Sequence, residues 1–208
     1  MRAFTDVITT KAQLRDAIGF PAARVQRKII SALDTHCRTF IARSPYLLVA
    51  STDEKGHMDV SPKGDPPGFV QVLDDTTLAI PDRPGNKRAD GLLNIIENPR
   101  VGLLFLVPGY RETLRVSGSA RIVRDRAVLA TMVIRGQVPT LALDVDVEEA
   151  FFHCAKCAIR SGVWCPETWP DITAMPTYAQ ITVDHTNWHE SPEIVERQLQ
   201  ESYNDKLY

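Results

Sequence analysis

The stretch SPYLLVASTDEKGHMDVSPKGD, residues 44–65, decides the fold class. Its first part, residues 46–51, is apolar and rich in β-forming residues, and residues 53–56 are typical of a turn. Residues 57–61 then alternate apolar and polar side chains, as a half-buried strand does. The stretch therefore predicts an antiparallel hairpin. The Pro- and Gly-rich residues 62–68 that follow favour an irregular loop.

Two further hairpins and a last strand extend this β pattern. In the longest of these strands, alternation places Arg115 on a polar face that could line a site. Six or so short strands joined by hairpins, with helices around them, predict an α+β fold that is mainly β and is built on a closed antiparallel barrel. The additional strands are residues 69–73, 77–80, 101–107, 112–123 and 140–145.

Helical patterns flank and interrupt the strands. Asp125 and Asp146 stand where N-caps are expected, ahead of apolar residues at helical spacing. We divide the chain into an N-terminal helical extension (residues 1–44), the barrel with its C-terminal helix (45–165), and a C-terminal extension (166–208) that packs on the barrel or on a partner. The predicted helices span residues 11–18, 22–31, 34–43, 87–97, 126–134 and 147–159.

Charge and composition exclude several classes of function. The 208 residues contain 24 Lys and Arg against 26 Asp and Glu, so no overall field attracts nucleic acid or an anionic membrane. No apolar run reaches the roughly 18 residues of a membrane-spanning helix, and the N-terminus lacks the apolar core of a signal peptide. Four scattered cysteines fit a reducing compartment. We therefore expect a soluble cytoplasmic protein that binds neither nucleic acid nor membrane.

A basic turn, PDRPGNKRAD at residues 81–90, leads from the second hairpin into the next helix. It contains Arg83, Lys87 and Arg88, and the last two fall in the first turn of the predicted helix. Cations at a helix N-terminus oppose the macrodipole unless an anion lies among them. A phosphate meets this condition, because amide groups and basic side chains can bind it together. A solvated basic turn is the alternative.

Three blocks occur in a characteristic order: residues 44–65, TLAIPDRPGNKRAD at 77–90, and NPRVGLLFLVPGYRETLRVSGSA at 98–120. Together they resemble the flavin-binding split barrel of the pyridoxamine 5′-phosphate oxidase-related family, and the similarity extends over about residues 44–161. The resemblance implies an antiparallel split β-barrel of the FMN-binding type. It also implies a homodimer that holds flavin mononucleotide (FMN) at the subunit interface.

The resemblance further implies which residues contact FMN. In the family, one strand and loop run along the ring and ribityl chain, a strand end follows the ring, and a basic segment holds the phosphate. A long strand approaches the flavin in the dimer and, more loosely, a C-terminal helix contributes to the mouth of the site. The matching residues are Asp59, Val60, Ser61, Pro62 and Lys63; Ile80, Pro81 and Asp82; Asn86, Lys87 and Arg88; Arg115 and Gly118; and, for the looser match, His153, Lys156, Arg160 and Trp164.

Two of these assignments also have support from chemistry. A cation near the pyrimidine end of a flavin stabilises the anionic reduced form, and Lys63 is the candidate. Lys156 and Arg160 are four residues apart, so on a helix they share one face and could form a second anion pocket. An exposed basic stripe at a helix end is the alternative for that pair.

The C-terminal sequence supports different conclusions about the cofactor and about the substrate. Residues 191–208 do not match the arginine-rich run by which the parent oxidase grips a vitamin B6 phosphate. FMN is therefore predicted, and the substrate stays open. Two functions compete: an FMN-dependent oxidoreductase, for which no catalytic residue is assigned, and a non-catalytic flavin- or haem-binding carrier.

A zinc site is a further alternative. His153, Cys154, Cys157 and Cys165 have a spacing that suits tetrahedral coordination. Cys154 and Cys157, however, fall within the predicted helix over residues 147–159, where packing is the commoner use of a small thiol. We expect packing there and no metal.

Overall fold

The computed structural model describes residues 4–208 and contains one sheet of seven strands. The strands are β1 (Tyr46–Thr52), β2 (Met58–Gly64), β3 (Gln71–Val72), β4 (Thr77–Pro81), β5 (Arg100–Leu106), β6 (Thr113–Val123) and β7 (Ala142–His153). Their order across the sheet is β2-β1-β5-β6-β7-β4-β3, and every neighbouring pair is antiparallel. The predicted α+β fold of split-barrel type is confirmed.

Helices cover parts of the sheet and lie near both ends of the described chain. Asp34 and Asp125 cap two of them by accepting hydrogen bonds from first-turn amides. Among the described residues, no helix combines the length and apolarity that crossing a membrane requires. The helices are α1 (Lys11–Ile18), α2 (Ala23–Arg27), α3 (Thr35–Ile41), α4 (Asp90–Glu97), α5 (Arg126–Ala130), α6 (Lys156–Ser161), α7 (Tyr178–Thr186) and α8 (Pro192–Asp205), with a 3-10 helix at Pro166–Thr168.

The sheet is open, so the prediction of a closed barrel is wrong. β2 and β3 are its two edges, and within residues 4–208 no strand ladder joins them. β3 has only two residues, and Pro66 and Pro67, which lack an amide proton, lie between the two edge strands. A gap therefore remains between β2 and the end of β4 at Pro81, and we call this gap the seam.

Alternating side chains of the strands form the core. In β1, Leu47 and Val49 are buried, whereas Leu48 and Ala50 on the other face are half-buried. β5 and β6 repeat this pattern, and α3 closes one end of the core with Phe40 and neighbouring side chains. Burial of these apolar surfaces is the main favourable contribution to folding. The largest fully buried side chains of the sheet are Leu47, Leu78, Ile80, Leu103, Phe105, Leu114, Val116 and Val145.

The prediction of a helix over residues 147–159 is wrong for most of its length. β7 pairs with β6 from end to end, and the helix begins only at Lys156. The pairing register shifts beside Gly118, because Glu148 is an extra residue in β7 and forms a β-bulge. Glu148 and Glu149 are both exposed, so the bulge interrupts the alternation that would identify a strand.

The two extensions are helical but differ in their packing. α1 buries no side chain, whereas Ile30, farther along the same extension, forms a β-bridge with Ala150 of β7. In the C-terminal extension, α7 and α8 pack against each other and bury Ala179 and Val195. The division of the chain near residues 44 and 165 stays a prediction.

Candidate functional site

A cavity of about 1100 Å³ lies in the seam. Its walls are β2, the end of β4, the loop of residues 82–89, the start of α4 and residues 137–141. Leu207 and Tyr208, which follow α8, complete the wall. The volume is sufficient for a nucleotide-sized ligand, since ligand pockets commonly measure about 300–1000 Å³. The polar strand and the basic turn that the sequence singles out therefore face one cavity.

Two ion pairs join the sides of the seam. Lys63 Nζ lies 2.5 Å from Asp82 Oδ1, and Arg83 Nε lies 2.6 Å from Asp65 Oδ2. In each pair one residue lies at the end of β2 and the other follows β4, so the pairs bridge a gap that a strand ladder would close in a complete barrel. The side chains of Asp65 and Arg83 are only 1% and 14% exposed, which nearly excludes their charges from water.

The partners of Arg83 give it a structural role. This does not fit the prediction that Arg83 helps to bind a phosphate. Besides its bond to Asp65, it donates through one terminal nitrogen to Met132 O at 2.8 Å. A phosphate would have to displace a buried carboxylate to reach this guanidinium. Breaking a buried pair leaves an uncompensated charge, and this is strongly unfavourable.

β2 presents two sets of side chains to the cavity. Asp59, Ser61 and Lys63 are half-buried and alternate with Val60 and Pro62, which are exposed. All five line the cavity. One set offers hydrogen-bonding groups and the other offers apolar surface. This combination suits a planar heteroaromatic ring, which needs partners at its edge and apolar contact at its face.

The basic turn reaches the cavity as a loop. α4 begins at Asp90, so the prediction that Lys87 and Arg88 lie in its first turn is wrong. Lys87 and Ala89 have positive φ values of 62° and 59°, in the left-handed region, and a helix cannot continue through them. Asn86 Oδ1 accepts a hydrogen bond from the Arg88 amide at 3.0 Å, which orders the loop.

Carboxylates already lie at the N-terminus of α4. Asp90 is in its first turn and pairs with Arg88 at 2.8 Å, and Asp59 Oδ2 lies 2.8 Å from where a Cβ on Gly91 would stand. These charges interact favourably with the helix dipole and repel a second anion. An anion is better placed at Lys87, which forms no ion pair within residues 4–208, and at Arg88, whose exposed pair is worth little.

Five of the predicted cofactor residues lie outside the cavity. Ile80 is fully buried in the core, Arg115 and Gly118 lie in β6, and Lys156 and Arg160 are exposed on α6. Their roles toward FMN stay predictions, as do those of the residues that the structure brings together. The predicted residues that line the cavity are Asp59, Val60, Ser61, Pro62, Lys63, Pro81, Asp82, Asn86, Lys87 and Arg88.

Arg115 lies on the outer face of the sheet, away from the cavity of its own subunit. β1 and β5 separate its strand from β2, a distance of about 14 Å at the usual strand spacing. Its guanidinium carbon and Lys28 Nζ each lie 5.1 Å from the centroid of the Phe151 ring. Burial, together with these two cations, lowers the pKa of His153, so its imidazole is neutral near pH 7.

Gly118 is required by packing. A Cβ at this position would stand 1.9 Å from Asp146 O in the neighbouring strand. Gly118 lies where the bulge in β7 shifts the register, and there the two backbones approach more closely than a side chain allows. The need for glycine is therefore independent of any ligand.

The cysteines are free thiols with different surroundings. Cys154 and Cys157 are exposed and Cys165 is half-buried. Among residues 4–208, no three His, Cys, Asp or Glu side chains are grouped so that they could hold a metal ion. Cys37 lies in the core, where burial raises the pKa of its thiol to about 12, so it is chemically inert at neutral pH.

Several residues in or beside the cavity wall could not be assigned to it from the sequence. Asp65 ends the first of the three sequence blocks, but nothing in its surroundings there marks its carboxylate as the partner of Arg83. Tyr208 is 143 residues away from Asp65 in sequence, yet its hydroxyl donates to Asp65 Oδ1 at 2.8 Å. No periodicity connects positions so far apart, and residues 137–139, which precede the predicted strand over residues 140–145, have no regular pattern of their own.

Comparison with known proteins identifies the family. A family model described as pyridoxamine 5′-phosphate oxidase matches residues 33–154, which is more than half of the chain. The chain belongs to the pyridoxamine 5′-phosphate oxidase family, and the resemblance seen in the sequence is confirmed. No curated protein matches it.

Solved structures similar to the chain include a HupZ protein, an FMN-binding protein and a heme storage protein. HupZ from Group A Streptococcus is 21% identical, with 57% of this chain and 92% of that chain covered and a TM-score of 0.47. An FMN-binding protein from Syntrophomonas wolfei is 10% identical, with 56% and 88% covered and a TM-score of 0.43. The heme storage protein HutZ from Vibrio cholerae is 18% identical, with 57% and 93% covered and a TM-score of 0.43.

Proposed function

We propose that this protein binds FMN in the seam cavity and acts as an FMN-dependent oxidoreductase on a small molecule. The observation that carries the proposal is the meeting of the polar strand β2 and the basic loop at one cavity, in a chain of this family. The residues present fit the group. Lys87 and Arg88 suit its phosphate, and residues 59–63 suit its ring and ribityl chain.

Each set of residues has its own task toward the cofactor. Lys87 and Arg88, which both line the cavity, bind the terminal phosphate. Asp82 fixes the ammonium group of Lys63 by an ion pair, and the remaining N–H groups of this ammonium can donate to the ring and so stabilise negative charge there. Val60 and Pro62 exclude water from the ring face. When bound, FMN supplies the hydride-transfer chemistry, so no protein acid or base needs to be assigned.

Arg88→Ala is expected to weaken FMN binding by about 2 kcal/mol, or roughly 30-fold in Kd, because it removes a charge-assisted phosphate contact. Fluorescence titration of the apoprotein with FMN measures the change. Arg197→Ala is the matched control, since Arg197 is exposed on α8 and lies outside the cavity. FAD should bind less tightly than FMN, because the basic loop suits a terminal phosphate. Full FMN affinity in Arg88→Ala would place the phosphate elsewhere.

Turnover separates the oxidoreductase from a flavin or haem carrier. The absorption spectrum of the protein as isolated identifies the bound group. Anaerobic addition of NADH or NADPH to the FMN-loaded protein should then bleach the flavin band with saturable kinetics. If neither NADH nor NADPH reduces the bound FMN, and no acceptor reoxidises reduced FMN in the protein, the result would favour a non-catalytic carrier.

We further propose a homodimer with FMN at the interface. The outer face of β2, β1 and β5 carries Val60, Tyr46, Leu48 and Leu104, and the first of these is 57% exposed. Such an apolar face favours association. In a twofold dimer the same face of each subunit meets its copy. That arrangement can bring the partner's Arg115 to the cavity that Arg115 cannot reach in its own subunit.

FMN is expected to stabilise this dimer. If both subunits contribute to each site, FMN binds the folded dimer and not the unfolded chain. Mass action then adds about 2.7 kcal/mol to the free energy of unfolding when free FMN is 100 times its Kd. The melting temperature should rise with FMN, and dilution should dissociate the apoprotein before the loaded protein. Sedimentation of a monomer that retains stoichiometric FMN would contradict the shared site.

The cysteines and the net charge bear on where the protein acts and what it binds. Four free cysteines fit a reducing cytoplasm. A formal net charge of −2 offers no strong attraction for nucleic acid or an anionic membrane. Both features support a cytoplasmic protein whose partners are a small-molecule substrate and a second copy of itself. Fractionation of cells that express the tagged protein tests the location.

A further inference from the structure

Tyr208 fills a slot in the wall of the seam cavity. Its hydroxyl donates to Asp65 Oδ1 at 2.8 Å, and the guanidinium carbons of Arg83 and Arg135 lie 5.8 and 5.1 Å from the ring centroid. Guanidinium groups at such distances attract the face of an aromatic ring. The hydroxyl and the ring are thus recognised by different groups, as in a site for a small molecule.

The slot is built largely without Tyr208. Its acceptor, Asp65, has a side chain only 1% exposed and is held by Arg83 Nε at 2.6 Å. Arg83 is in turn fixed by its bond to Met132 O at 2.8 Å. These bonds belong to the seam, so the carboxylate and one of the two cations keep their positions if Tyr208 leaves. A site that is already organised costs little entropy to fill.

The segment that delivers Tyr208 is held loosely by comparison. α8 ends at Asp205, and residues 206–208 lie outside any helix or strand. Leu207, next to Tyr208, is 51% exposed. Withdrawal of the ring therefore disrupts little backbone structure, and local opening of such a segment needs far less free energy than unfolding.

The chemistry of the slot defines what else it would accept. When its carboxyl group is ionised, Asp65 accepts hydrogen bonds and donates none. The occupant of the slot must therefore donate one. The bond from the Tyr208 hydroxyl to Asp65 is also the main cause that raises the pKa of Tyr208, which shows that the slot prefers a protonated donor to a phenolate. The two arginines favour an electron-rich planar ring.

We propose that this slot is a binding site for an aromatic ring carrying an O–H or N–H donor, and that Tyr208 occupies it as an internal competitor. Two residues of the slot, Tyr208 and Arg83, line the same cavity as the predicted FMN residues. A ring that displaces Tyr208 would therefore enter beside the cofactor, as a substrate of this class. That last step rests on the proposed function, whereas the slot itself does not.

Binding of p-cresol, the side-chain analogue of tyrosine, tests the slot without any flavin. Titrations followed by NMR should show that Tyr208→Ala binds p-cresol at least tenfold more tightly than the wild-type chain does. Toluene, which has the same ring but no donor, should bind Tyr208→Ala at least tenfold more weakly than p-cresol. Adding Arg135→Ala to Tyr208→Ala should weaken p-cresol binding while leaving the seam pair intact.

Equal p-cresol affinity in wild type and Tyr208→Ala would overturn the proposal, as would equal affinity of Tyr208→Ala for p-cresol and toluene. Thermal melting should show that Tyr208→Ala is folded, since the ring lies at the margin of the structure. FMN titration of the same two proteins separates this result from the proposed function. If p-cresol binds as expected and FMN does not bind at all, the slot stands and the flavin assignment fails.

Discussion

Asp65→Ala is expected to lower the free energy of unfolding by about 3–5 kcal/mol, because it leaves the guanidinium of Arg83 buried and unpaired. Arg83 is 14% exposed, and its other partner, Met132 O, is a neutral acceptor that cannot balance the charge. The loss would be a large part of the 5–15 kcal/mol that stabilises an ordinary domain. Urea unfolding of the apoprotein measures it.

Two further variants decide whether burial of the charge is the cause. Asp75→Ala removes the carboxylate of an exposed pair with Arg38, in which Asp75 is 81% exposed, and should cost less than about 1 kcal/mol. In the double variant Asp65→Ala/Arg83→Met no charge is left unpaired, so it should be more stable than Asp65→Ala alone. A double variant no more stable than Asp65→Ala would refute the argument.

The seam links stability to ligand binding. One edge of β2 pairs with β1, whereas within the described chain the opposite edge pairs with no strand. Backbone donors and acceptors on that edge therefore stay available to a ligand in the cavity. A closed barrel would use the same groups in a ladder. The pairs Lys63–Asp82 and Asp65–Arg83 hold the gap at a fixed width through side chains, and this leaves the backbone free.

Local patterns in the sequence were sufficient to predict the hairpin of β1 and β2. The turn at residues 53–56 and the alternation on either side of it are short-range signals, and β1 and β2 form where they predict. The burial of Leu114 and Val116 with Arg115 exposed between them follows from the same period of two. The helix cap at Asp125 is likewise local and is confirmed.

Features that depend on tertiary structure could not be predicted in this way. The bulge at Glu148 hides the alternation of β7, so residues 147–159 imitate a helical pattern. The left-handed conformation of Lys87, which is not a glycine, delays the start of α4. The partners Asp65 and Arg83 are 18 residues apart in sequence, and only the curvature of the whole sheet brings them together across the seam.

Gly118→Ala is expected to lower the free energy of unfolding by about 3 kcal/mol, at the upper end for overpacking, because the new Cβ would stand 1.9 Å from Asp146 O. The obstacle is backbone in a paired strand, so neither a rotamer change nor a small side-chain shift relieves it. Gly85→Ala is the control, since its Cβ would meet nothing within 4 Å, and it should change stability by less than about 0.5 kcal/mol. Urea unfolding of both apoproteins provides the comparison. If Gly118→Ala is as stable as Gly85→Ala, the close approach of β6 and β7 at the bulge is wrong, and glycine at this position would need a reason outside packing.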